Sequence, residues 1–401
     1  MTRFVQTRVR LLNDRQLHLL RAVDVFDELI HFLRMFLTQC GVDILLMEKF
    51  RWNSRTWLCV ACNATFLMSV IYTVAVHWKD WYAIMNALSI IGIGFQGIIK
   101  LYKALAHKSF FQEKYLNLRV VHERSSEHPR NNVAMVKCAL IILYAFRFFF
   151  VSYAVAGMAF FVLPVYMMVV RQEKMMILPL ELPFVDPATE SGFTATTVYH
   201  SVLVVLAIMG ILAADMGIMI FILHMLGIVD VFMNNLKELD ELLVLSASEE
   251  SVITDKVTEI CKMHREIIRY EEDLDEFYHQ TVFVQVITSV TCLSLTLFVI
   301  YMTNDWTRIM FIFATFAQLL EFCLLGTVLT LKNDQIILAI YDTNWYLLSK
   351  SDQKNIAIML HRSQNAVEMT IGGISLLNME TFVEIIKTIY SYFAMMVSFL
   401  E

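Results

Sequence analysis

The sequence predicts an all-α, polytopic membrane protein with seven transmembrane helices, a cytosolic N-terminus and an extracellular C-terminus. Composition is the first reason, because 58% of the 401 residues are hydrophobic and 17% are charged, against roughly 45–50% and 25% in soluble domains. The second reason is that the apolar residues fall in stretches of about 20, the length that a helix needs to cross a hydrocarbon core. The third is that basic residues are concentrated in alternate connections.

The predicted spans divide the chain into six regions. The spans are expected at Trp57–Val76, Ala83–Ile99, Ala134–Tyr166, Thr196–Leu226, Thr281–Met302 and Ile309–Thr330, with a last one ending at Glu401. The regions are a cytosolic N-terminal segment at 1–56, spans one to four at 57–226, a cytosolic helical segment at 227–280, spans five and six at 281–330, a cytosolic helical anchor segment at 331–370, and the last span at 371–401. Region 227–280 is expected to be helical because its apolar residues recur at three- and four-residue spacing among charges.

The distribution of Lys and Arg predicts the orientation of the chain. These residues number 25 in the N-terminal segment and the connections 100–133, 227–280 and 331–370, and four in the other three connections. Because cytosolic connections carry the excess of Lys and Arg, we expect a cytosolic N-terminus. G-protein-coupled receptors have seven spans but an extracellular N-terminus. The extracellular connections also contain no cysteine for the loop disulfide common in those receptors.

Other classes of function find no support in the sequence. The net charge of −6 gives no reason to expect a nucleic-acid partner. The motifs HExxH and GxSxG and a phosphate-binding glycine loop are absent, so we predict no catalytic residue, no cofactor and no enzymatic activity. Cys59 and Cys62 have CxxC spacing but lie in an apolar run without a second pair or a histidine. We interpret them as small buried residues rather than as a metal or redox site.

The last span has a polar stripe. At helical spacing, one face of it contains Thr381, Glu384, Thr388, Ser391, Met395 and Ser398. Such a face is costly against lipid, since hydrocarbon offers no hydrogen-bonding partner. Two interpretations remain open: the hydroxyls bond to neighbouring helices, or the helix lines a pore that Met395 or Phe399 narrows near its outer end.

Three ionisable residues lie deep in other predicted spans: Arg147, Asp215 and Glu321. Arg147 and Asp215 are at similar depth, so a buried pair between spans three and four is expected. An ion-selectivity site or a proton relay is the alternative.

The outer halves of the spans are rich in aromatic residues and methionine. Examples are Trp81, Tyr82 and Met85 in the second span, Phe149, Phe150, Tyr153, Met158 and Phe160 in the third, and Tyr199 and His200 in the fourth. An apolar pocket with a few polar atoms would suit a small volatile ligand. Any one of these side chains could instead belong to the core or face lipid.

The C-terminal third contains a series of short motifs. They are Phe316-Ala317-Gln318-Leu319-Leu320, Cys323 and Gly326; Ile340-Tyr341 and Trp345-Tyr346; His361-Arg362-Ser363-Gln364-Asn365; Thr370-Ile371-Gly372-Gly373; Thr381-Phe382; and Lys387-Thr388-Ile389-Tyr390-Ser391-Tyr392-Phe393. In order and spacing they resemble the sixth span and the long C-terminal signature of insect odorant receptors. The inverted topology and the long helical segment before the fifth span agree, so the resemblance covers essentially the whole chain.

The resemblance implies a ligand-gated, non-selective cation channel in the plasma membrane, in the dendrites of olfactory sensory neurons. In that family four subunits surround a central pore lined by the last helix, and intracellular helical extensions form most of the contact between subunits. A tuning subunit binds a small volatile organic ligand and assembles with a shared co-receptor. The ending Val397-Ser398-Phe399-Leu400-Glu401 differs from the co-receptor's usual tail. The second cytosolic loop also lacks the co-receptor's long insertion, so a tuning subunit in a hetero-tetramer is expected.

The resemblance also suggests functional residues. By position, the pore constriction falls at Met395, Ser398 and Phe399. The odorant pocket falls in the outer half among spans two, three, four and six, which suggests Met85, Phe149, Phe150, Tyr153 and His200. Two alternatives remain: a gustatory-type channel of the same fold, disfavoured because no Gln follows Tyr390, and a secondary transporter, disfavoured by the lack of a visible internal repeat.

Overall fold

The computed structural model describes residues 17, 20–45, 52–172, 174–244, 250–304 and 308–399, apart from the side chain of residue 163. The helices are α1 (Ala22–Gln39), α2 (Ser54–Val76), α3 (Trp81–Leu88), α4 (Ile91–Ala106), α5 (Lys108–Ser125), α6 (Pro129–Tyr166), α7 (Glu190–Val244), α8 (Glu250–Thr303), α9 (Ile309–Tyr341), α10 (Lys350–Ser363) and α11 (Met379–Ser398). A π-helical turn, Met167–Arg171, extends α6, and a 3₁₀ turn, Trp345–Leu347, precedes α10. The strands β1 (Thr370–Ile371) and β2 (Ser375–Leu376) form an antiparallel hairpin.

Within the described residues, six helical segments are long and apolar enough to cross a membrane: α2, α3 together with α4, α6, α7, α8 and α9. They agree with the first six predicted spans, and the chain is a multi-pass membrane protein. The seventh prediction corresponds to α11, whose 20 residues extend over about 30 Å. Residues 400 and 401, with which that prediction ends, lie outside the described part.

The helices α7 and α8 are much longer than a bilayer requires. They contain 55 and 54 residues, and at 1.5 Å per residue each extends over about 80 Å, against a hydrocarbon core of about 30 Å. Within the described residues, the charged residues of 227–244 lie in the second half of α7 and those of 250–280 lie in the first half of α8. These halves, with α1, α5 and α10, form one end of the bundle, here called the α10 end. The opposite end, where residues 174–189 lie, is called the loop end.

Hydrophobic packing explains how α1 is held against the long helices. Its apolar face buries Phe26, Leu29 and Leu33, and this face packs on α6 and α7. The side chain of Asn132 at the start of α6 accepts a hydrogen bond from the amide of Ala22 (2.8 Å) and donates one to the carbonyl of Leu20 (2.7 Å). The start of α1 is thereby fixed by polar contacts as well as by apolar burial.

Two glycines and a cap position α11. Gly372 and Gly373 have φ of 65° and 73°, a conformation that glycine adopts without steric cost, and they turn the chain between β1 and β2. Gly326 of α9 lies directly against the segment after the hairpin, since a Cβ atom there would be 1.8 Å from the carbonyl oxygen of Leu377. Asn378 then caps α11 by accepting a hydrogen bond from the amide of Thr381 at 2.9 Å.

Candidate functional site

An elongated cavity of about 260 Å³ lies within the helix bundle. Its wall is formed by α1, α2, α4 and α7, with contributions from α6, α8 and α9. On α7 the lining extends from Leu203 to Phe221, which is about 27 Å of helix at 1.5 Å per residue. The cavity therefore extends over most of the thickness of a membrane.

The part of the cavity nearest the loop end is apolar. Its wall there contains Phe160, Leu178, Leu203 and Phe311, side chains of the kind that surround small organic ligands. Farther along α7, glycine widens the cavity. A Cβ atom on Gly210 or Gly217 would have no neighbour within 4 Å, so the open space exists because side chains are absent at these positions.

Residues between α6 and α7 close the loop end. The amide of Leu178 donates to His200 Nδ1 at 3.4 Å, and the amide of Glu181 donates to Thr73 Oγ1 at 2.8 Å. The carboxylate of Glu181 also contacts His77 Nε2 at 3.0 Å. These contacts attach the segment to α7 and to the end of α2, so that it covers the cavity on this side.

A charged cluster lies beside the middle of the cavity. Lys100 Nζ donates to Asp215 Oδ1 at 2.5 Å, Gln318 Nε2 donates to Asp215 Oδ2 at 2.7 Å, and the hydroxyl of Tyr153 donates to Glu321 Oε2 at 2.8 Å. All five side chains belong to residues at most 7% exposed, and they come from α4, α6, α7 and α9. Lys100, Tyr153 and Gln318 line the cavity. The cluster therefore gives a mostly apolar wall a few fixed hydrogen-bonding groups.

The cation beside Asp215 differs from the one expected. The sequence suggested Arg147, whereas the structure pairs Asp215 with Lys100, and the charge of Arg147 acts on Glu28 of α1. Lys100 lies just past the predicted end of the second span, where it counted as a connecting residue. Its long side chain turns into the bundle because a buried carboxylate offers it a partner.

The structure places the five predicted ligand residues differently. Tyr153 lines the cavity, while Met85, Phe149, Phe150 and His200 are not part of its wall. Phe149 and His200 are buried, and Phe150 is 37% exposed on α6. Their part in ligand binding stays a prediction.

Sequence reasoning missed most polar residues of the wall, among them Gln96, Lys100 and Gln318. The sequence did offer a signal for Gln96 and Gln318, which is a glutamine inside an apolar span. A buried side-chain amide requires hydrogen-bonding partners, so such a residue is expected to face other helices or a cavity rather than lipid. In the sequence, Gln318 stands out only as part of the motif Phe316-Ala317-Gln318-Leu319-Leu320. Gln96 bridges α4 to α8 through the hydroxyl of Thr288 at 2.8 Å.

The helix α11 has a buried apolar face and an exposed polar one. Phe382, Ile385 and Ile389 are buried, and α11 packs against α8 and α9. On the other face Thr388, Ser391 and Ser398 are exposed, and each hydroxyl donates to a carbonyl of the same helix. Met395 and Phe399 are 50% and 81% exposed. Within one chain, the predicted polar stripe is therefore uncovered.

Long apolar helices, a cavity with a few polar groups, and a peripheral amphipathic helix define a multi-pass helical membrane protein that can hold a small molecule. The sequence model of the 7tm odorant receptor family matches residues 82–390. The chain belongs to this family of insect odorant receptors, which are receptors rather than enzymes.

Individual relatives are distant in sequence. The chain is 20% identical to putative odorant receptor 83c of Drosophila melanogaster over 93% of this chain and 97% of that one. It is 21% identical to odorant receptor 82a of the same species over 80% of this chain and 86% of that one. The fold is similar to that of the insect olfactory receptor OR5 from Machilis hrabei, with a TM-score of 0.74 at 14% identity, covering 93% and 98% of the two chains. The structure of that receptor in complex with eugenol gives a TM-score of 0.72 at 13% identity, over 94% and 99%.

Proposed function

We propose that this chain is the odorant-binding subunit of a ligand-gated, non-selective cation channel in the plasma membrane of olfactory neurons. A volatile organic molecule binds in the cavity, and four subunits, including co-receptor subunits, surround the pore. The observation that carries this proposal is the position of α9. This helix contributes Gln318 to the cavity wall, and its Phe316 packs on Phe382 of α11 with ring centroids 5.4 Å apart.

The cavity supports the ligand class. Its volume of about 260 Å³ suits a small organic molecule, and its wall is mostly apolar, as in other small-molecule sites. Lys100, Tyr153 and Gln318 are among the polar groups of the wall that can fix a ligand's orientation. The similar receptor from Machilis hrabei was solved with eugenol, a small organic compound, which agrees with this class.

Movement of α9 would reach α11 through several contacts. Besides the ring pair, the hydroxyl of Thr327 on α9 accepts a hydrogen bond from the amide of Met379, the first residue of α11, at 2.9 Å. On α8, the hydroxyl of Ser294 donates to the carbonyl of Ile389 at 3.3 Å. A ligand that changes the packing at Gln318 can therefore shift α11 between a closed and an open position. This helix presents Met395, Ser398 and Phe399 to the proposed pore.

Exposed apolar residues support assembly with other subunits. At the α10 end, Leu338, Tyr341, Tyr346 and Ile358 are between 59% and 64% exposed. This end carries the excess of basic residues, so we place it in the cytosol, with the loop end outside. Exposed apolar residues in an aqueous compartment suit contact with another protein chain.

The test is current recording from cells that express the chain with and without the co-receptor while a panel of volatiles is applied. We expect odorant-evoked cation current only on co-expression. Gln318→Leu should shift the odorant concentration for half-maximal current, whereas Gln364→Leu, at an exposed residue that ends α10, should not. Saturable solute flux without unitary currents would instead support a transporter, and current that disappears when G-protein signalling is blocked would contradict the proposal.

A further inference from the structure

Two glutamines of the cavity wall present unpaired carbonyl oxygens to the cavity. They are Gln96 of α4 and Gln318 of α9, both of which line it and are 4% and 6% exposed. Neither Oε1 atom has a hydrogen-bond partner among the described residues. Unlike the unpartnered Oε1 of Gln285 on α8, neither is enclosed by protein. Because so little of either side chain is exposed, the open space that these oxygens face is the cavity.

The orientation of the Gln318 amide is fixed by a partner that accepts hydrogen bonds. Its Nε2 donates to Asp215 Oδ2 at 2.7 Å, and the other oxygen of this carboxylate accepts from Lys100. A carboxylate paired with an ammonium has no hydrogen to give. Turning the amide over would bring two acceptor oxygens together, so Gln318 keeps its NH2 group toward α7 and its Oε1 toward the cavity.

The orientation of the Gln96 amide is fixed in the same way. Its Nε2 donates to the hydroxyl of Thr288 at 2.8 Å. That hydroxyl gives its single hydrogen to the carbonyl of Val284 at 2.6 Å, so toward Gln96 it can only accept. The NH2 group of Gln96 is therefore committed to α8, and its carbonyl oxygen is the atom left for a ligand.

Neighbouring donors of the wall are already engaged. The hydroxyl of Tyr153 gives its hydrogen to Glu321 at 2.8 Å, and that of Thr315 gives its own to a backbone carbonyl of α9 at 3.0 Å. Lys100 directs its ammonium at Asp215. Around the two glutamines, the wall thus offers unpaired acceptors, and a ligand that fits them must bring a donor.

The charges of the wall narrow the choice of donor. Its described residues include Lys100 and Lys103 but no carboxylate, so a protonated amine would meet like charge without compensation. An ester, ketone or ether has no hydrogen to donate and would leave both amide oxygens unpaired where it has displaced water, which is unfavourable. A neutral O–H group satisfies both requirements.

Both oxygens lie close to the same part of the cavity. Asp215 bonds directly to Gln318 and to Lys100, which is one helical turn from Gln96. We propose that the cavity selects alcohols and phenols, whose hydroxyl donates to Oε1 of Gln318 or of Gln96. This inference rests on the proposed function, because it names the chemical class of the volatile ligand that the same cavity accepts.

The test is direct binding to the full chain in phosphatidylcholine nanodiscs, measured as the rise of the thermal midpoint with ligand concentration. The probes are 1-octanol, 2-phenylethanol and 4-ethylphenol, each compared with its own methyl ether, together with octanal and octylamine. Concentrations are corrected for partition into nanodiscs without protein. We expect each hydroxyl compound that binds to do so about 10-fold more tightly than its methyl ether, and 1-octanol to bind more tightly than octanal and octylamine.

Variants assign the preference to the two amides. In the double variant Gln96→Met with Gln318→Met, the hydroxyl compounds should lose their advantage over the ethers, while binding of the ethers changes little. A purely structural role of the glutamines would instead weaken both kinds of compound alike. Gln285→Met is the matched control, because Gln285 is a buried glutamine of α8 outside the cavity wall, and it should keep the parental preference.

Three results would overturn the proposal: ethers that bind the parent as tightly as the hydroxyl compounds, octylamine that binds more tightly than 1-octanol, or a preference that survives in the double variant. The comparison in the parent needs no variant, so it decides the proposal even if the double variant does not fold. No binding by any probe would contradict the cavity as a ligand site and the proposed function with it. Selective binding without current on co-expression would contradict only the channel and would support this inference.

Discussion

At the scale of single residues, Asp215 has the most consequential environment. It is 2% exposed, and it accepts hydrogen bonds from Lys100 and Gln318 at 2.5 and 2.7 Å. Removing one member of a buried ion pair leaves the other charge without compensation, which costs about 3–5 kcal/mol, whereas replacing both by apolar residues is often tolerated. The pair therefore acts as a unit that joins α4 to α7.

We expect Asp215→Leu and Lys100→Met each to lower the free energy of unfolding by about 3–5 kcal/mol, because each leaves the other charge buried without its partner. The double substitution Lys100→Met with Asp215→Leu should recover most of that loss. Thermal unfolding of the purified protein, measured as a double-mutant cycle, distinguishes these cases. Additive losses in the double variant would show that the two residues do not interact.

His122 is the residue for which the structure predicts a pH effect. It is fully buried on α5, with its ring 4.5 Å from Phe26 and 5.1 Å from His224. Burial, followed by repulsion from His224, lowers the pKa of His122 to about 2. In the unfolded chain the imidazole binds a proton near pH 6.5. Its contribution to stability is therefore complete above about pH 6.5 and is lost as the pH falls below that value.

We expect acidification from pH 7.5 to 5.5 to remove about 1.4 kcal/mol of stability through this one group. His122→Phe, which can still stack on Phe26, should decrease the acid-induced drop in the thermal midpoint by a corresponding amount. His361→Phe is the control, since His361 is an exposed residue of α10. An equal drop in the parent and in His122→Phe would contradict the assignment.

At the scale of elements, hydropathy was sufficient to predict the helices but not their contacts. The first six spans correspond to helices of the structure because a membrane-crossing segment must satisfy its backbone hydrogen bonds internally. The prediction treated the second span as one helix. The structure instead divides the segment into α3 and α4 around Ser89 and Ile90.

The cavity could not be predicted from periodicity, because it depends on which helix faces meet. Gly210 and Gly217 create open space only because no neighbouring side chain fills it. Lys100 was assigned to a connection by its sequence position, and only the three-dimensional proximity of Asp215 turns its side chain inward. Of the predicted ligand residues, Tyr153 alone lines the cavity, since aromatic residues on one span face several different neighbours.

Gly326 gives a prediction about how α9 holds α11. A methyl group there would be 1.8 Å from the carbonyl oxygen of Leu377, so Gly326→Ala should displace the segment that leads into the Asn378 cap. We expect a loss of about 1–3 kcal/mol, the usual cost of overpacking, measured by thermal unfolding. Gly217→Ala is the control, because its methyl group would enter open space. A Gly326→Ala protein as stable as Gly217→Ala would contradict this role.

At the scale of the whole molecule, the proposed function gives the exposed face of α11 its role in an assembly. A single chain buries Phe382, Ile385 and Ile389 and leaves Ser391, Met395 and Ser398 uncovered. If four subunits place this face around a common axis, its hydroxyls meet water, and Met395 and Phe399 narrow the pore. Sequence periodicity predicted the stripe correctly, but a pore also requires symmetry between chains, which no single sequence specifies.

The central claim, that α11 lines the conducting pore, is tested most directly by the unstimulated current of channels formed with the co-receptor. We predict that Met395→Ala and Phe399→Ala each raise this current or change ion permeability, because each shortens an apolar side chain at the constriction. Met68→Ala, at a similarly exposed methionine on α2, should behave like the parent. Parental current and permeability in both α11 variants would contradict the account.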